Sequence, residues 1–530
     1  MESNASNQST PIRKSFVRRI FTARVLLFGL AALVTFIALY HAEENWRGAR
    51  AWKKFKRERE AAGEVMSANS LVPPPVPDDQ NFAMTPFFAP FYDFIPGTQK
   101  QRDTNAVERA QNFAKNIPDA PTVSTNDSET DLVGFANAIL HPKDKPNDGQ
   151  PMVTDRVAAA RVVLQTLNQL SPIFDELRAA SQRPYVRFNI AYDWPDKIAI
   201  VLPHLMVLKP LSRNLSIRAT AELALNQTDA AMADTKLGLY IAETASHEGI
   251  VISELVRAAA LHVALQSLVI GLRDHQWTDA QLEQLEVALQ KIDLIDGMAT
   301  ALNGESKVLV NSAFERLRTE HNRLKLLESW SELTESRPAG AAGNPIAQFL
   351  FWVAVPRGWV DFEQLNYERL FYADIMSAID TQNHSVDPVK AARGDEEIQN
   401  VKGLGLVHNV LHHEVIALIA LPALTRIAFK TTMAQADINM ATVACALERY
   451  RLAHGQFPAD LNGLVPQFLS ALPNDAVKGG ALNYRRDGGT YVLYSIGWNA
   501  TDDGGKVVVG KNSKADAKQG DWVWGVPGRN

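Results

Sequence analysis

The stretch ALERYRLAHGQFPADLNGLVPQFLSALPND, residues 446–475, decides how the C-terminal part of the chain is built. Its first half closes a helix: the apolar pattern reaches back to about Leu404, and Gly455 is the stop signal. Pro422 is where that helix is expected to bend or break. Beyond Asp475 come three β-rich or alternating runs, Leu482–Arg485, Tyr491–Ile496 and Val507–Val509. Asp-Gly-Gly turns at Asp487–Gly489 and Asp503–Gly505 separate them. One long helix followed by a small antiparallel sheet is an α+β layout for residues 401–530.

The order of residues along this region resembles the major, G-like pseudopilins of type II secretion. Pro422, Ala446-Leu447, Tyr450-Arg451-Leu452, Gly455 and Phe457-Pro458 begin the match. Leu461, Leu464-Val465-Pro466, Leu469, Leu472-Pro473 and Asp475 extend it. Tyr484, Tyr491, Leu493, Ser495, Gly497, the Asp502–Gly505 turn and Trp522 complete it, over residues 412–525. The resemblance implies a pilin-like fold and a place outside the cytoplasm. It also implies calcium on the loop Asp502-Asp503-Gly504-Gly505 with Asp521, because hard cations take several oxygens from a flexible turn. Asn499, Thr501 and Asp503 alternate in part like an EF-hand loop, but no Glu follows at the required distance. A plain polar hairpin is the alternative. The start of the region departs from the family. Glu414, Val415 and the run IALIALPAL match its Glu and apolar helix in kind, yet His412 and His413 precede them and no peptidase site is visible. The module is therefore expected to be fused to a larger anchored protein and not released as a pilus subunit.

Upstream, residues 151–334 read as an irregular, solenoid-like α-helical domain. Thr278 with Gln281 is a capping-box start, followed by the stripe Leu282, Leu285, Leu289 and Ile292. Ile250–Leu272 is apolar enough to raise the question of a second span. Glu254, Arg257 and His262 inside it favour a buried helix with a Glu254–Arg257 pair. Ala219–Ala242 reads as a helical hairpin broken at Asn226–Asp229, loosely similar to a tetratricopeptide unit but without a repeating period. Residues 335–400 are expected to hold a linker at 335–345, an apolar run at Ile346–Val355, helices over Asp361–Thr381 and a polar break at 385–397.

The N-terminus points to a membrane. Residues 1–19 form a basic tail, and residues 20–40 an apolar run interrupted only by Arg24. A spanning helix needs about 20 residues. Cleavage after Ala38 or Ala42 would place Phe36 or Tyr40 where a signal peptidase needs a small residue, so an uncleaved signal anchor is expected. Lys and Arg flank both sides of the run, and their count does not set the orientation. A short tail before a large body, together with the pilin resemblance, favours a cytoplasmic N-terminus. Residues 41–150 read as a charged juxtamembrane helix at 43–62, a stiff Pro-rich spacer at Leu71–Pro77, and loops. Trp46, Trp52 and Phe55 on the juxtamembrane helix suit either an interface or a solvated stalk. The aromatic cluster 82–94 is expected to pack internally, and a short helix is expected near Ala106–Lys115.

Composition narrows the chemistry. The chain has 530 residues, 46% of them apolar, and a formal charge of −5, which leaves no basic excess for nucleic acid. Cys445 is the one cysteine, so intrachain disulfides and multi-cysteine zinc sites are excluded. His408 and His412 have the spacing of a zinc pair, but Ala417 stands where HExxH needs its second His. GKVVVGK, residues 505–511, is followed by Asn512 and lacks the hydroxyl residue of a phosphate loop. No Gly-x-Ser-x-Gly elbow occurs. These readings converge on a mainly α, single-pass protein of a bacterial inner membrane, its body in the periplasm. It would contact the lipid bilayer through residues 20–40 and act structurally or by binding protein partners. The rival expectations are an accessory part of a type II secretion or pilus-like machine, and a metal-dependent envelope enzyme.

Overall fold

A computed structural model describes residues 12–62, 72–115, 131–141, 152–194, 199–246, 248–319, 355–404, 406–510 and 515–525. The linker expected at 335–345 and all but the last residue of Ile346–Val355 lie outside them. The protein is mainly helical, with small antiparallel sheets near its C-terminus. The chain divides into two compact units. One gathers residues 1–66, 314–367 and 405–419, and the other residues 67–313, 368–404 and 420–530.

The first unit is organised on α1 (Ile12–Ala61), a single uninterrupted helix. The apolar run and the charged stretch 43–62, expected as separate elements, are one element. Part of α11 (Asn311–Thr319), most of α12 (Arg357–Leu370), α14 (Leu406–His412) and the first turn of α15 (Val415–His454) complete this unit.

The second unit holds α2 (Thr104–Lys115), α3 (Leu132–Leu140), α4 (Arg156–Leu167) and α5 (Ser171–Ala180). It continues with α6 (Leu205–Ala224), α7 (Thr228–Glu243), α8 (Val251–Arg273), α9 (Asp279–Leu289) and α10 (Leu294–Glu305). The hairpin of α6 and α7 and the capping box at Thr278 form where expected. The apolar window of α8 is 61% buried, against 0% for that of α1, and the Arg257 guanidinium binds Glu254 at 3.0 Å. α8 is thus a core helix. The aromatic segment packs inward: Phe82, Phe88 and Phe91 are fully buried in one core with Phe174, Leu208 and Ile241. α3 was not anticipated. Asp131 caps it by accepting the Gly134 N–H at 2.8 Å.

Two expectations about helix boundaries are corrected. Residues 385–397 are not a polar break: α13 (Pro388–Gly403) occupies most of them. Asp387 accepts the Val389 N–H at 2.9 Å, and Pro388 fits a first helical position, where its missing donor costs nothing. Before it, β1 (Ile379–Asp380) and β2 (Ser385–Val386) make a short hairpin. Likewise, α15 runs unbroken through Pro422, and the interruption lies earlier, at His413, whose φ is +58°. Gly455 ends α15 with φ +75°, its N–H on the Arg451 carbonyl at 2.8 Å.

The α+β layout of the C-terminal region is present. β3 (Asn483–Asp487), β4 (Thr490–Ser495) and β7 (Trp522–Val523) form a sheet in the order β3-β4-β7, all antiparallel. β5 (Val507–Val509) pairs with β6 (Ala515–Gly520). α15 belongs to two cores at once. Ala434, Ile438, Ala441, Ala444 and Cys445 pack with α6 to α9. Ala436, Met440, Val443, Ala446 and Leu447 pack with Phe457, Leu464, Leu493 and Trp522. Neighbours one or two positions apart on a helix point to different sides, so members of the two sets alternate round α15, and small side chains let it be enclosed all round.

Candidate functional site

The features that bear on function are the exposed apolar helix, the junction that fixes it, and a set of polar clusters in the second unit. From Val25 to Leu39, nine large apolar side chains of α1 are 54–77% exposed. Five residues on, at Glu44, the helix is fixed. Gly48 and Gly358 face each other so closely that a Cβ on either would collide with backbone of the other helix. Asn45 accepts the Gly358 N–H at 2.7 Å, and Glu44 accepts the Trp359 indole N–H at 3.1 Å. Gly358→Val is expected to force α12 off α1, at about 1–3 kcal/mol for overpacking. Hydrogen exchange at residues 44–48 would rise in that variant, and unchanged protection would refute the crossing.

One face of α12 then organises the interruption before α15. Trp359, Phe362, Glu363 and Asn366 recur at spacings of three, one and three. The His413 ring stacks on Phe362 at 5.0 Å and meets Trp359 edge-on at 4.8 Å. Asn366 donates to the carbonyls of His412 and His413, at 2.8 and 3.0 Å, closing the end of α14. The Glu363 carboxylate accepts the N–H groups of Val415 and Ile416, at 3.1 and 2.9 Å, opening α15. Desolvation pushes the Glu363 pKa up to about 7 despite those two bonds. Burial also lowers that of His413, with the nearby Glu44 charge opposing it. His408 and His412, read as a zinc spacing, stack on one another at 3.8 Å, with the His412 ring bonded to the His408 carbonyl. Glu363 and Asn366 were missed from sequence; the pattern W-x-x-F-E-x-x-N at 359–366 is the signal that marks them.

The three acidic residues read as calcium ligands are brought together, with backbone donors on their oxygens. Asp521 accepts the N–H groups of Asp503, Gly505 and Lys506, the Gly505 bond at 2.6 Å. Asp502 accepts the Tyr494 hydroxyl at 3.0 Å, and Asp503 accepts the Asn499 amide at 2.8 Å. Desolvation raises the Asp521 pKa, against the pull of its N–H donors. Asp521→Ala strands three donors and is expected to cost about 1–3 kcal/mol. A denaturant titration would show it, and an unchanged midpoint would mean the loop does not depend on Asp521. Among the described residues no group of three or more His, Cys, Asp or Glu side chains is placed to hold a metal ion.

Deeper in the second unit two polar clusters are packed away from solvent. His204 is fully buried, stacked on Phe188 at 4.0 Å. Its Nδ1 shares a hydrogen bond with the Tyr92 hydroxyl, and its Nε2 lies 2.8 Å from Glu248, which accepts the Ser253 hydroxyl. Burial drives the Tyr92 pKa well up, so its proton stays on and available to His204. In the second cluster Asp234, with no exposed surface, receives Arg178 at 2.5 Å and Arg218 through two nitrogens. Glu222 lies beside Arg218 at 3.7 Å. Desolvation and then the Asp234 charge push its pKa from 4.5 up to about 8, against Arg218 and Arg178. A carboxyl whose pKa rises on folding favours the fold when protonated. That contribution is whole below about 4.5 and is lost as pH rises through about 8. Wild type should therefore lose stability relative to Glu222→Gln across this window. Denaturant midpoints of both proteins at its two ends check this, and a constant difference would contradict it.

The remaining sequence candidates resolve simply. Cys445 is fully buried between the two cores of α15, and burial pushes its thiol pKa up, away from nucleophile chemistry. Gly505 and Lys506 of the phosphate-loop-like segment lead into strand β5, not into a helix. No family model, curated protein or solved structure matches the chain.

Proposed function

We propose that this is a single-span structural protein of a bacterial envelope, a helical scaffold fused to a pilin-like module, with its body on the periplasmic face of the inner membrane. The observation that carries the reading is α1: an exposed apolar stretch from Val25 to Leu39 that continues, without a break, into the contacts of Glu44, Asn45 and Gly48 with α12. Apolar side chains lining every side of a helix are at home in hydrocarbon about 30 Å thick. Phe36 and Tyr40 oppose removal of the stretch as a signal peptide. The polar clusters support a structural role, since each joins one element to another.

Fractionation tests the anchor. The full chain should stay with membranes through an alkaline carbonate wash, with its first 40 residues detectable by mass spectrometry, and a chain lacking them should be soluble. A mature N-terminus near residue 39 or 43 would overturn the anchor in favour of a cleaved signal. An alkaline phosphatase fusion after residue 62 should be active if the body is periplasmic, and inactive if the orientation is reversed.

The accessory-component reading is favoured by the succession of α15, the 457–475 stretch and the sheet β3-β4-β7. Recovery of secretion or pilus proteins with the chain in mild detergent would support it, and their absence would leave the scaffold reading alone. Calcium at the Asp502–Asp521 loop belongs to this second reading. It requires Asp521 to exchange N–H donors for a cation. A melting temperature that rises with calcium in wild type, and not in Asp503→Ala, is the expected sign.

A further inference from the structure

Beyond the apolar run, α1 presents a second exposed face. Trp46, Arg50, Lys53 and Arg57 follow one another at spacings of four, three and four, so they share one side of the helix. Gly48, buried against α12, lies on the opposite side. All four are exposed, and Trp46 is 61% exposed. The neighbouring cations are matched within the helix: Arg47 by Glu44 at 2.8 Å, Lys54 by Glu58 and Lys56 by Glu60, both at 3.8 Å. The face itself is not matched. Arg50 lies over the Trp46 ring at 5.3 Å, and Arg57 donates to the Lys53 carbonyl at 3.2 Å. Among the described residues no carboxylate forms an ion pair with Arg50 or Arg57, and Lys53 senses Asp361 only through its field.

We propose that this face docks an acidic helical segment of a neighbouring protein beside the membrane. Distance separates that partner from lipid. At about 1.5 Å per residue, Arg50, Lys53 and Arg57 stand about 15, 20 and 26 Å beyond Tyr40. The headgroup layer is only about 5–8 Å deep. Surface potential decays over about 8 Å at physiological salt, so Lys53 feels little of it. Trp46, about 9 Å out, is the one residue near the headgroups. A plain solvated stalk accounts for cations but not for a tryptophan held open under an arginine. Tryptophan and arginine are the side chains that dominate protein interfaces. The face spans three helical turns, and carboxylates at spacings of three and four on a partner helix would meet its cations in register.

The inference rests on the anchor reading, and its test begins with the full chain already held in nanodiscs of zwitterionic lipid. Failure to enter the discs strikes the anchor; failure in the titration strikes only the docking. The probe is a synthetic amphipathic helix with glutamates at spacings of three and four. It should bind in a salt-dependent way, and Arg50→Glu with Arg57→Glu should weaken it by about tenfold or more. Arg50→Gln with Arg57→Gln should weaken it less, and Trp46→Ala severalfold. A peptide of the same composition with its glutamates scattered round the helix should bind about tenfold more weakly. Equal binding of the two peptides, or no effect of the charge reversal, overturns the proposal. So does a reversal that acts instead on affinity for anionic phosphatidylglycerol vesicles, which would make the face a lipid contact.

Discussion

Expressed without residues 67–313, the stretch 420–530 should fail to give a cooperatively folded domain. Its helix would expose Ile438 and the small side chains Ala434, Ala441, Ala444 and Cys445, which now lie against α6 to α9. Arg449 would lose Asp279 at 2.9 Å and Glu286 at 3.0 Å. Gln435 would lose the Leu294 N–H it accepts at 2.6 Å, and Glu448 its contact with His275 at 2.9 Å. At about 0.8 kcal/mol per buried methylene and about 1.5–3 kcal/mol per charged hydrogen bond, these losses rival the about 5–15 kcal/mol that holds a whole domain together. Calorimetry and amide chemical-shift dispersion are the measurements. Residual helix without a melting transition is the expected result, and a sharp transition would show that the sheet side alone sustains the helix.

The second large effect is local. Asp234→Ala removes a buried carboxylate that Arg178 and Arg218 both grasp. Arg218 is also seated over the Phe174 ring at 4.9 Å and cannot turn to solvent without vacating it. Arg178 would keep Asp175 at 2.7 Å, whereas buried Arg218 would be left with the Ser171 hydroxyl at 3.1 Å and Glu222 at 3.7 Å. Breaking one side of a buried pair costs about 3–5 kcal/mol when the charge left behind is uncompensated, and Glu222, released from the Asp234 charge, offsets part of that for Arg218. Urea denaturation of the full chain should show that loss. A change below about 1 kcal/mol would place the network among exposed pairs of little worth.

Much of the helical body was legible because its signals are local. Thr278 and Gln281 sit within one turn of each other, and Glu254 with Arg257 betray a core helix by their own spacing. The turns at Asp487–Gly489 and Asp503–Gly505 carry their own glycines. What was illegible depends on distant partners. Nothing near His413 says that the chain turns there; Glu363 and Asn366, about fifty residues earlier, impose it. Pro422 looked like the break because proline removes a donor, yet α15 carries on through it. Residues 385–397 read as polar because α13 leaves Lys390, Arg393 and Glu396 exposed, while Asp387 and Pro388 are a helix start. Of the candidate site, the apolar run was plain, but the Gly48–Gly358 approach pairs residues over three hundred positions apart, beyond any local pattern.

The enclosure of α15 also sets an order of events during synthesis. The helices from α6 to α10 leave the ribosome early, but Leu294 waits for Gln435 and His275 waits for Glu448, separations of 141 and 173 residues. Until α15 emerges, the side of those helices that meets Ala434, Ile438, Ala441, Ala444 and Cys445 has no cover. Domains whose contacts lie this far apart fold late and stay open to aggregation. A stop codon shortly before residue 434 should therefore yield an insoluble product and not a shortened, folded protein, and a soluble product with a cooperative melt would show that α6 to α10 hold together without α15.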